Sequence, residues 1–265
     1  MSSSDSEVEN VPKTRVLDWI ATLPFAVCFI LLLIAMDPIH RVGYFFGAKV
    51  QDSLFIALNK GLVALLRILN ARIAVEKSDK IDPNKQYIIV SNHQSLFDIP
   101  IIASILARNN PKFIAKKELG QWIPSVSFVL RRGRHALIDR SDAGSAVQSI
   151  SQLGTMMQRS GFSMVIFPEG TRARDGKLKK FRSLGLNALI KASPDCQVLP
   201  VTIDGSWKLA FYNFMPIPRG VVITIKIGDP ILHNADVSAS ALSRMAGEII
   251  AKNIKELHSQ HDMHG

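Results

Sequence analysis

"QYIIVSNHQSLFDIP", residues 86–100, joins an apolar run directly to a dense polar turn. The consecutive apolar residues 87–90 are typical of a buried strand in a parallel sheet. His93 and Asp98 follow that strand at once, five positions apart. In an open α/β sheet, ligands gather where strands end and loops begin. This stretch therefore predicts an α/β fold with a polar site after its first strand.

Short apolar runs alternate with longer segments of helical period along the rest of the chain. This is the rhythm of βα units, so we predict a mostly parallel central sheet flanked by helices. A chain of 265 residues has room for one such domain and an appendage. The predicted strands are 86–91, 112–115, 135–138, 163–167, 197–203 and 221–227, and the predicted helices are 98–108, 117–130, 142–159, 181–192 and 237–257.

Two apolar segments precede the first predicted strand. Residues 19–36, "WIATLPFAVCFILLLIAM", carry no charge, and about 20 apolar residues cross a bilayer core. Residues 42–73 have a broad leucine face with cations set among apolar positions, which favours a helix at a membrane surface. A cleaved signal peptide and a core helix of a soluble protein are the alternatives for the first run.

The composition divides the chain into four parts. We interpret residues 13–75 as an N-terminal pair of membrane-associating helices and residues 76–258 as the α/β domain. The polar ends, residues 1–12 and 259–265, are predicted to be disordered.

The formal net charge of +10 and the pI of about 9.8 favour anionic partners. No RNA- or DNA-binding motif accompanies the charge, so membrane phospholipid and phosphorylated substrates rank above nucleic acid. The two cysteines, Cys28 and Cys196, give neither a disulfide framework nor a metal site, and they suit a reducing compartment.

His93 and Asp98 have the residue types of a general base and its partner. An imidazole works best as a base when a carboxylate fixes its tautomer and stabilises the imidazolium that forms. A turn at a helix start would let Asp98 reach back to His93. A capping role for Ser95 and Asp98 at that helix is the alternative.

"FPEGTRAR", residues 167–174, is a second polar turn after a predicted strand. Gly170 and Thr171 can offer backbone N–H groups to an anion, and Arg172 offers a guanidinium fork suited to phosphate. We expect Glu169 to hold a substrate hydroxyl or to orient Arg172. We expect Arg140, just past the third predicted strand, to point into the same strand-end crevice.

These segments resemble the glycerolipid acyltransferase family, and specifically its 1-acyl-sn-glycerol-3-phosphate acyltransferases. "NHQSLFD" resembles the family's N-H-x-x-x-x-D block (the HX4D motif), and "FPEGTR" resembles its F-P-E-G-T-R block. "ALIDR" and "VLPVTI" resemble the second and fourth blocks, although Arg134 stands where the second block usually has glycine.

The resemblance assigns roles to individual residues. It implies catalytic His93 and Asp98, glycerol phosphate binding by Glu169, Gly170 and Arg172, a phosphate contact from Arg140, and an acyl-binding region near Pro200.

The resemblance further implies transfer of a fatty acyl group to the sn-2 hydroxyl of lysophosphatidic acid, giving phosphatidic acid for phospholipid biosynthesis. The donor is expected to be acyl-CoA or acyl carrier protein, with no cofactor and no metal. The enzyme is expected at the inner or cytoplasmic membrane, with its catalytic domain on the cytoplasmic face. The alternatives are an acyltransferase for another lysolipid or lyso-aminolipid and a non-catalytic protein that binds anionic lipid.

Overall fold

A seven-stranded sheet in the order β1-β7-β6-β2-β5-β3-β4 forms the centre of the computed structural model, which describes residues 14–139, 142–233 and 237–262. Among its strand pairs only β6 and β7 are antiparallel, so the mostly parallel α/β prediction is confirmed. The strands are β1 (Arg72–Lys77), β2 (Tyr87–Ser91), β3 (Pro111–Lys116), β4 (Ala136–Ile138), β5 (Ser163–Ile166), β6 (Gln197–Asp204) and β7 (Val222–Ile227).

All six predicted strands are present, but β1 was not predicted. Only its first two residues fall within the predicted second apolar segment, 42–73, and the predicted domain boundary between residues 75 and 76 cuts through the strand. β1 lies at an edge of the sheet and is mostly exposed, so it lacks the buried apolar run that marks the other strands. Its pairing with β7 is what places it in the α/β domain.

Seven α-helices flank the sheet in the described ranges. Residues 117–130 do not form the single helix predicted: a 3₁₀ turn ends at Gly120, Pro124 interrupts the chain, and α4 begins only at Val126. The helices are α1 (Val16–Tyr44), α2 (Ala48–Leu65), α3 (Asp98–Ile105), α4 (Val126–Arg132), α5 (Ala143–Ser160), α6 (Ser183–Ala192) and α7 (Ala239–Asp262).

The two predicted disordered tails fall only partly within the residues that the structure describes. Helix α7 runs through Asp262, so residues 259–262 are helical rather than disordered, and the hydroxyl of Ser259 donates to the carbonyl of Glu256, 2.9 Å away. Residues 1–12 and 263–265 lie outside the described residues.

Side chains of the central strands alternate between two cores. In β2, Tyr87 and Ile89 pack with the apolar residues of α2 and α3, whereas Ile88 and Val90 pack with those of α5, α6 and α7. Burial on both faces explains the uninterrupted apolar run of this strand. Its polar continuation emerges at the carboxyl edge of the sheet.

Helix α1 is 29 residues long and is, within the described ranges, the one helix long and apolar enough to cross a membrane. Its most apolar part has a mean hydropathy of 2.5, yet only 17% of that stretch is buried. Pro24 lies in its first turns and does not end it. The helix therefore leaves a large apolar surface that no other part of the described chain covers.

Candidate active site

The predicted contact between His93 and Asp98 is present. His93 Nδ1 lies 2.7 Å from Asp98 Oδ2. An ionised carboxylate only accepts hydrogen bonds, so Nδ1 carries the ring proton. Nε2 then has a free lone pair that can accept a proton. The imidazole also stacks on the ring of Phe167, with centroids 4.2 Å apart and planes inclined by 19°. The ring is therefore fixed both by a hydrogen bond and by stacking.

Asp98 is fully buried, and the chain satisfies its charge with four donors. Oδ2 accepts the backbone N–H groups of Gln94 at 2.6 Å and Ser95 at 2.9 Å in addition to His93 Nδ1. Oδ1 accepts the hydroxyl of Ser206 at 2.6 Å. Asp98 thus accepts backbone N–H groups of the turn before α3 and also orients His93. It is the first residue of the helix rather than its N-cap, because Phe97 holds that position without a side-chain cap.

Contacts from distant parts of the chain fix the loop that carries His93. The Asn92 amide pairs with both backbone groups of Ile203 in β6, donating at 2.7 Å and accepting at 2.8 Å. The backbone N–H of His93 donates to Glu169 Oε1 at 2.7 Å, and its carbonyl accepts from Ala173 N–H at 2.7 Å. The loop is therefore held between β6 and the turn after β5.

Glu169 occupies a different position from the one expected. It is almost fully buried, and its two carboxylate oxygens accept the backbone N–H groups of His93 and Lys179. Burial raises the pKa of this carboxyl, although both hydrogen bonds and the nearby charges oppose the rise. Its carboxylate therefore braces the His93 loop, and both of its oxygens are used by backbone N–H groups rather than by the Arg172 side chain.

The turn at Gly170 is closed by its own backbone. Gly170 donates its N–H to the carbonyl of Phe167 at 3.0 Å and has a φ of +71°, which favours glycine. Its amide is therefore used within the turn, whereas Thr171 beside it is exposed. Within the described ranges the guanidinium of Arg172 has no hydrogen-bond or ion-pair partner, which leaves it available for an anion.

Of the two other predicted residues, the structure describes only Pro200. Arg140 lies outside the described residues. Pro200 lies in the middle of β6, where it pairs with Val90 and accepts a hydrogen bond from Gly228. An added Cβ on Gly228 would lie 3.1 Å from Pro200 and 3.8 Å from Ile249 of α7, so this proline faces α7 rather than His93.

Ser206 was missed by the sequence analysis, as were the polar residues behind it. Gln94 Nε2 lies 3.4 Å from Asp204 Oδ1, and His258 Nε2 of α7 lies 3.3 Å from the same oxygen. Burial alone would raise the pKa of Asp204, but the contacts with His258 and Gln94 hold it below its usual value. Only the polar residues Asp204 and Ser206 at the end of a buried strand hinted at this network.

An apolar cavity of about 160 Å³ opens beside the turn after β5. Phe167, which stacks on His93, forms part of its wall, and Gly170 and Arg182 also line it. The remaining lining is mostly aliphatic: Ile114, Ile138, Ala143, Ala146, Val147, Ile150, Ile166, Pro168, Leu184 and Gly185.

A cluster of His, Cys, Asp or Glu side chains able to hold a metal ion is absent from the described parts of the chain. What the site does contain is a histidine whose tautomer is fixed by a buried carboxylate, at the edge of a mostly parallel sheet. In such an arrangement an imidazole can remove a proton from a nucleophile, which is typical of enzymes that use histidine as a general base.

The chain belongs to the Acyltransferase family, whose model matches residues 72–204, half of its length. It is 30% identical over 170 residues to a 1-acyl-sn-glycerol-3-phosphate acyltransferase of Cocos nucifera, covering 63% of this chain and 52% of that protein. The human 1-acyl-sn-glycerol-3-phosphate acyltransferase alpha is 28% identical over 159 residues, covering 60% and 54%. The chain thus spans about half the length of the curated relatives it matches.

A solved structure is similar along nearly the whole chain. It is the 1-acyl-sn-glycerophosphate (LPA) acyltransferase PlsC from Thermotoga maritima, with a TM-score of 0.71 and 26% identity. The similarity covers 91% of this chain and 96% of that one.

Proposed function

We propose that this protein transfers a fatty acyl group from a thioester donor to the free sn-2 hydroxyl of lysophosphatidate, giving phosphatidate. The 2.7 Å contact between His93 Nδ1 and the buried Asp98 carboxylate carries this proposal, because it leaves Nε2 as a base for a hydroxyl. Relatives and a solved structure that bear the name of this activity support the choice of acceptor.

The reaction needs one proton carrier. His93 Nε2 takes the hydroxyl proton as the oxygen attacks the thioester carbonyl carbon, and Asp98 stabilises the imidazolium. The carbon–oxygen bond forms, the carbon–sulfur bond breaks, and the thiolate leaves and recovers the proton. The donor is acyl-CoA or acyl carrier protein, and neither a metal nor a covalent acyl-enzyme takes part.

Arg172 supports a phosphorylated acceptor, because its guanidinium is unpaired in the described part of the chain and follows the turn that braces His93. We assign the exposed Thr171 and Arg140 to the same phosphate. The 160 Å³ apolar cavity, with Phe167 between it and His93, suits part of a fatty acyl chain.

We further propose that α1 is embedded in the membrane without crossing it. Near its start, Asp18 and Thr22 accept backbone N–H groups of Arg219 and Ile217. Near its end, Asp37 accepts the backbone N–H of Ser125.

Asp18 and Asp37 are about 28 Å apart along the helix, close to the thickness of a bilayer core. A spanning helix would place these residues on opposite sides of the membrane, yet the same domain binds both. The exposed apolar face of α1 therefore lies along one leaflet. We place the catalytic domain on the cytoplasmic side of the membrane, where a reducing environment suits the free Cys28 and Cys196.

The test is to supply the purified protein in lipid with acyl-CoA and lysophosphatidate, and to measure thiol release and phosphatidate together. We expect coupled formation of both, abolished by His93→Ala. His233→Ala is the matched control. His233 lies two residues after Ile231, which pairs with Val198 near the amino end of β6, whereas His93 follows the carboxyl end of β2.

The other outcomes each decide against part of the proposal. Turnover with a different lysophospholipid, a lyso-aminolipid or glycerol 3-phosphate, but not with lysophosphatidate, would overturn the acceptor. Full function of His93→Ala would overturn catalysis and favour a protein that only binds anionic lipid.

A further inference from the structure

Residues 117–125, hereafter the Trp122 loop, leave the sheet at the edge that carries the candidate active site. The loop begins directly after β3, which runs parallel to β5, and β5 runs parallel to β2. The carboxyl ends of these strands therefore share one edge, where the loops of His93 and Arg172 also begin. The Trp122 loop forms part of the rim around that crevice.

Trp122 is the most exposed of the large hydrophobic residues in the described ranges, at 95%. The backbone presents it at some cost, since Trp122 has a φ of +67° and Ser125 a φ of +60°, which are uncommon for residues other than glycine. Leu119 in the same loop is 39% exposed. Apolar side chains held outward together in this way mark a candidate contact surface.

The loop is fastened to the apolar helix α1. Ser125 donates its backbone N–H to Asp37 Oδ1 at 2.7 Å and its hydroxyl to the carbonyl of Leu33 at 2.9 Å. Ile123 packs against the cluster that contains Leu33. Three residues of extended chain span about 10 Å, so Trp122 lies close to the helix that carries the large exposed apolar surface.

The charges around the loop fit a phospholipid surface. Lys116, Lys117, Arg131 and Arg132 are exposed, and Glu118 is the one acidic residue between positions 116 and 132. Tryptophan prefers the level of the headgroups, where its ring is partly buried and its N–H stays hydrated. Cations beside it suit the anionic phosphates of the same layer.

We propose that the Trp122 loop is a second membrane contact, made by the α/β domain itself, which holds the rim of the crevice against the phospholipid interface. A lysolipid acceptor then passes from the bilayer into the crevice without crossing water. The identity of that acceptor rests on the proposed function, whereas the membrane contact does not.

Fluorescence tests the contact without any turnover. The emission of the wild type minus that of Trp122→Phe isolates Trp122, and vesicles of phosphatidylglycerol and phosphatidylcholine with brominated chains act as the quencher. We expect brominated vesicles to quench this difference signal at least twofold and to protect it from iodide. The matching difference for Trp207→Phe should change little, because Trp207 is only 8% exposed. Equal iodide quenching with and without vesicles would overturn the contact.

Kinetics test what the contact is for. Trp122→Ala should raise the KM for long-chain lysophosphatidate in vesicles by roughly tenfold, as expected for losing one buried apolar side chain. For a short-chain acceptor dissolved as monomers, KM should stay within twofold. Equal losses with both acceptors would overturn the role in acceptor entry. If no acceptor turns over even with the wild type, the proposed function fails and the fluorescence result still decides the contact.

Discussion

Asp98→Asn should slow the reaction without disturbing the site. Three donors surround Oδ2, two of them backbone N–H groups that cannot reorient, and Oδ1 faces the hydroxyl of Ser206. The substituted amide can only place its oxygen toward the three donors and its NH₂ toward Ser206. The tautomer of His93 is then preserved, and the variant removes the negative charge alone.

The size of the effect follows from the 2.7 Å separation between His93 and Asp98. At an effective dielectric constant of about 20, two full charges at this distance interact by roughly 6 kcal/mol. With the proton about half transferred, the transition state loses roughly 3 kcal/mol, which corresponds to a fall of about 10²-fold in kcat. KM should change little, because the charge pair forms only as the reaction proceeds.

The assay is thiol release from acyl-CoA with lysophosphatidate at saturating concentration, for Asp98→Asn and for the exposed Asp79→Asn as the control. Circular dichroism and thermal melting establish that both variants are folded. A fall in kcat of less than fivefold in folded Asp98→Asn, or an effect confined to KM, would refute the role assigned to the charge.

Three further predictions follow from individual contacts. Ser206→Ala should lower kcat about tenfold with KM unchanged, since a buried carboxylate loses one donor, and steady-state assays should show recovery in Ser206→Thr. Arg172→Ala should raise the KM for lysophosphatidate about 10- to 100-fold, whereas the exposed Arg174→Ala should not, and equal effects would contradict a specific phosphate contact. Asp52→Asn should cost about 3 kcal/mol in urea unfolding, because it leaves the fully buried Lys112 unpaired. Burial alone would raise the pKa of Asp52, but its cationic partners hold it below its usual value. Its contribution to stability is therefore present above the pKa of the unfolded chain and is lost as the pH falls through the lower pKa of the folded state. A wild type whose unfolding free energy shows no such loss would contradict this pairing.

The fold was predictable where burial leaves a pattern. The central strands are buried on both faces and appear as apolar runs, and the contact between His93 and Asp98 is local, so spacing alone revealed it. Edge strand β1 carries no such pattern because it is mostly exposed, and its partner β7 lies 150 positions away in the sequence. The single helix predicted for residues 117–130 is wrong, because Gly120 and Pro124 interrupt a segment whose apolar residues have helical spacing.

The roles of the polar residues could not be read from the motifs. Glu169 belongs to a phosphate-binding block by resemblance, yet its carboxylate accepts two backbone N–H groups in the interior. A sequence shows that a carboxylate is present but not which donors surround it. The same applies to Ser206, 108 positions from the aspartate to which it donates.

These distant contacts explain how a short motif can hold a base in place. A loop of polar residues at a strand end has no regular hydrogen bonding of its own, so its conformation must be fixed from outside. Asn92 is bound to β6, the backbone of His93 to the turn after β5, and Asp98 to the chain beyond β6. Each of these three braces comes from an element that flanks β2 in the sheet or directly follows one, so folding of the sheet itself assembles the site.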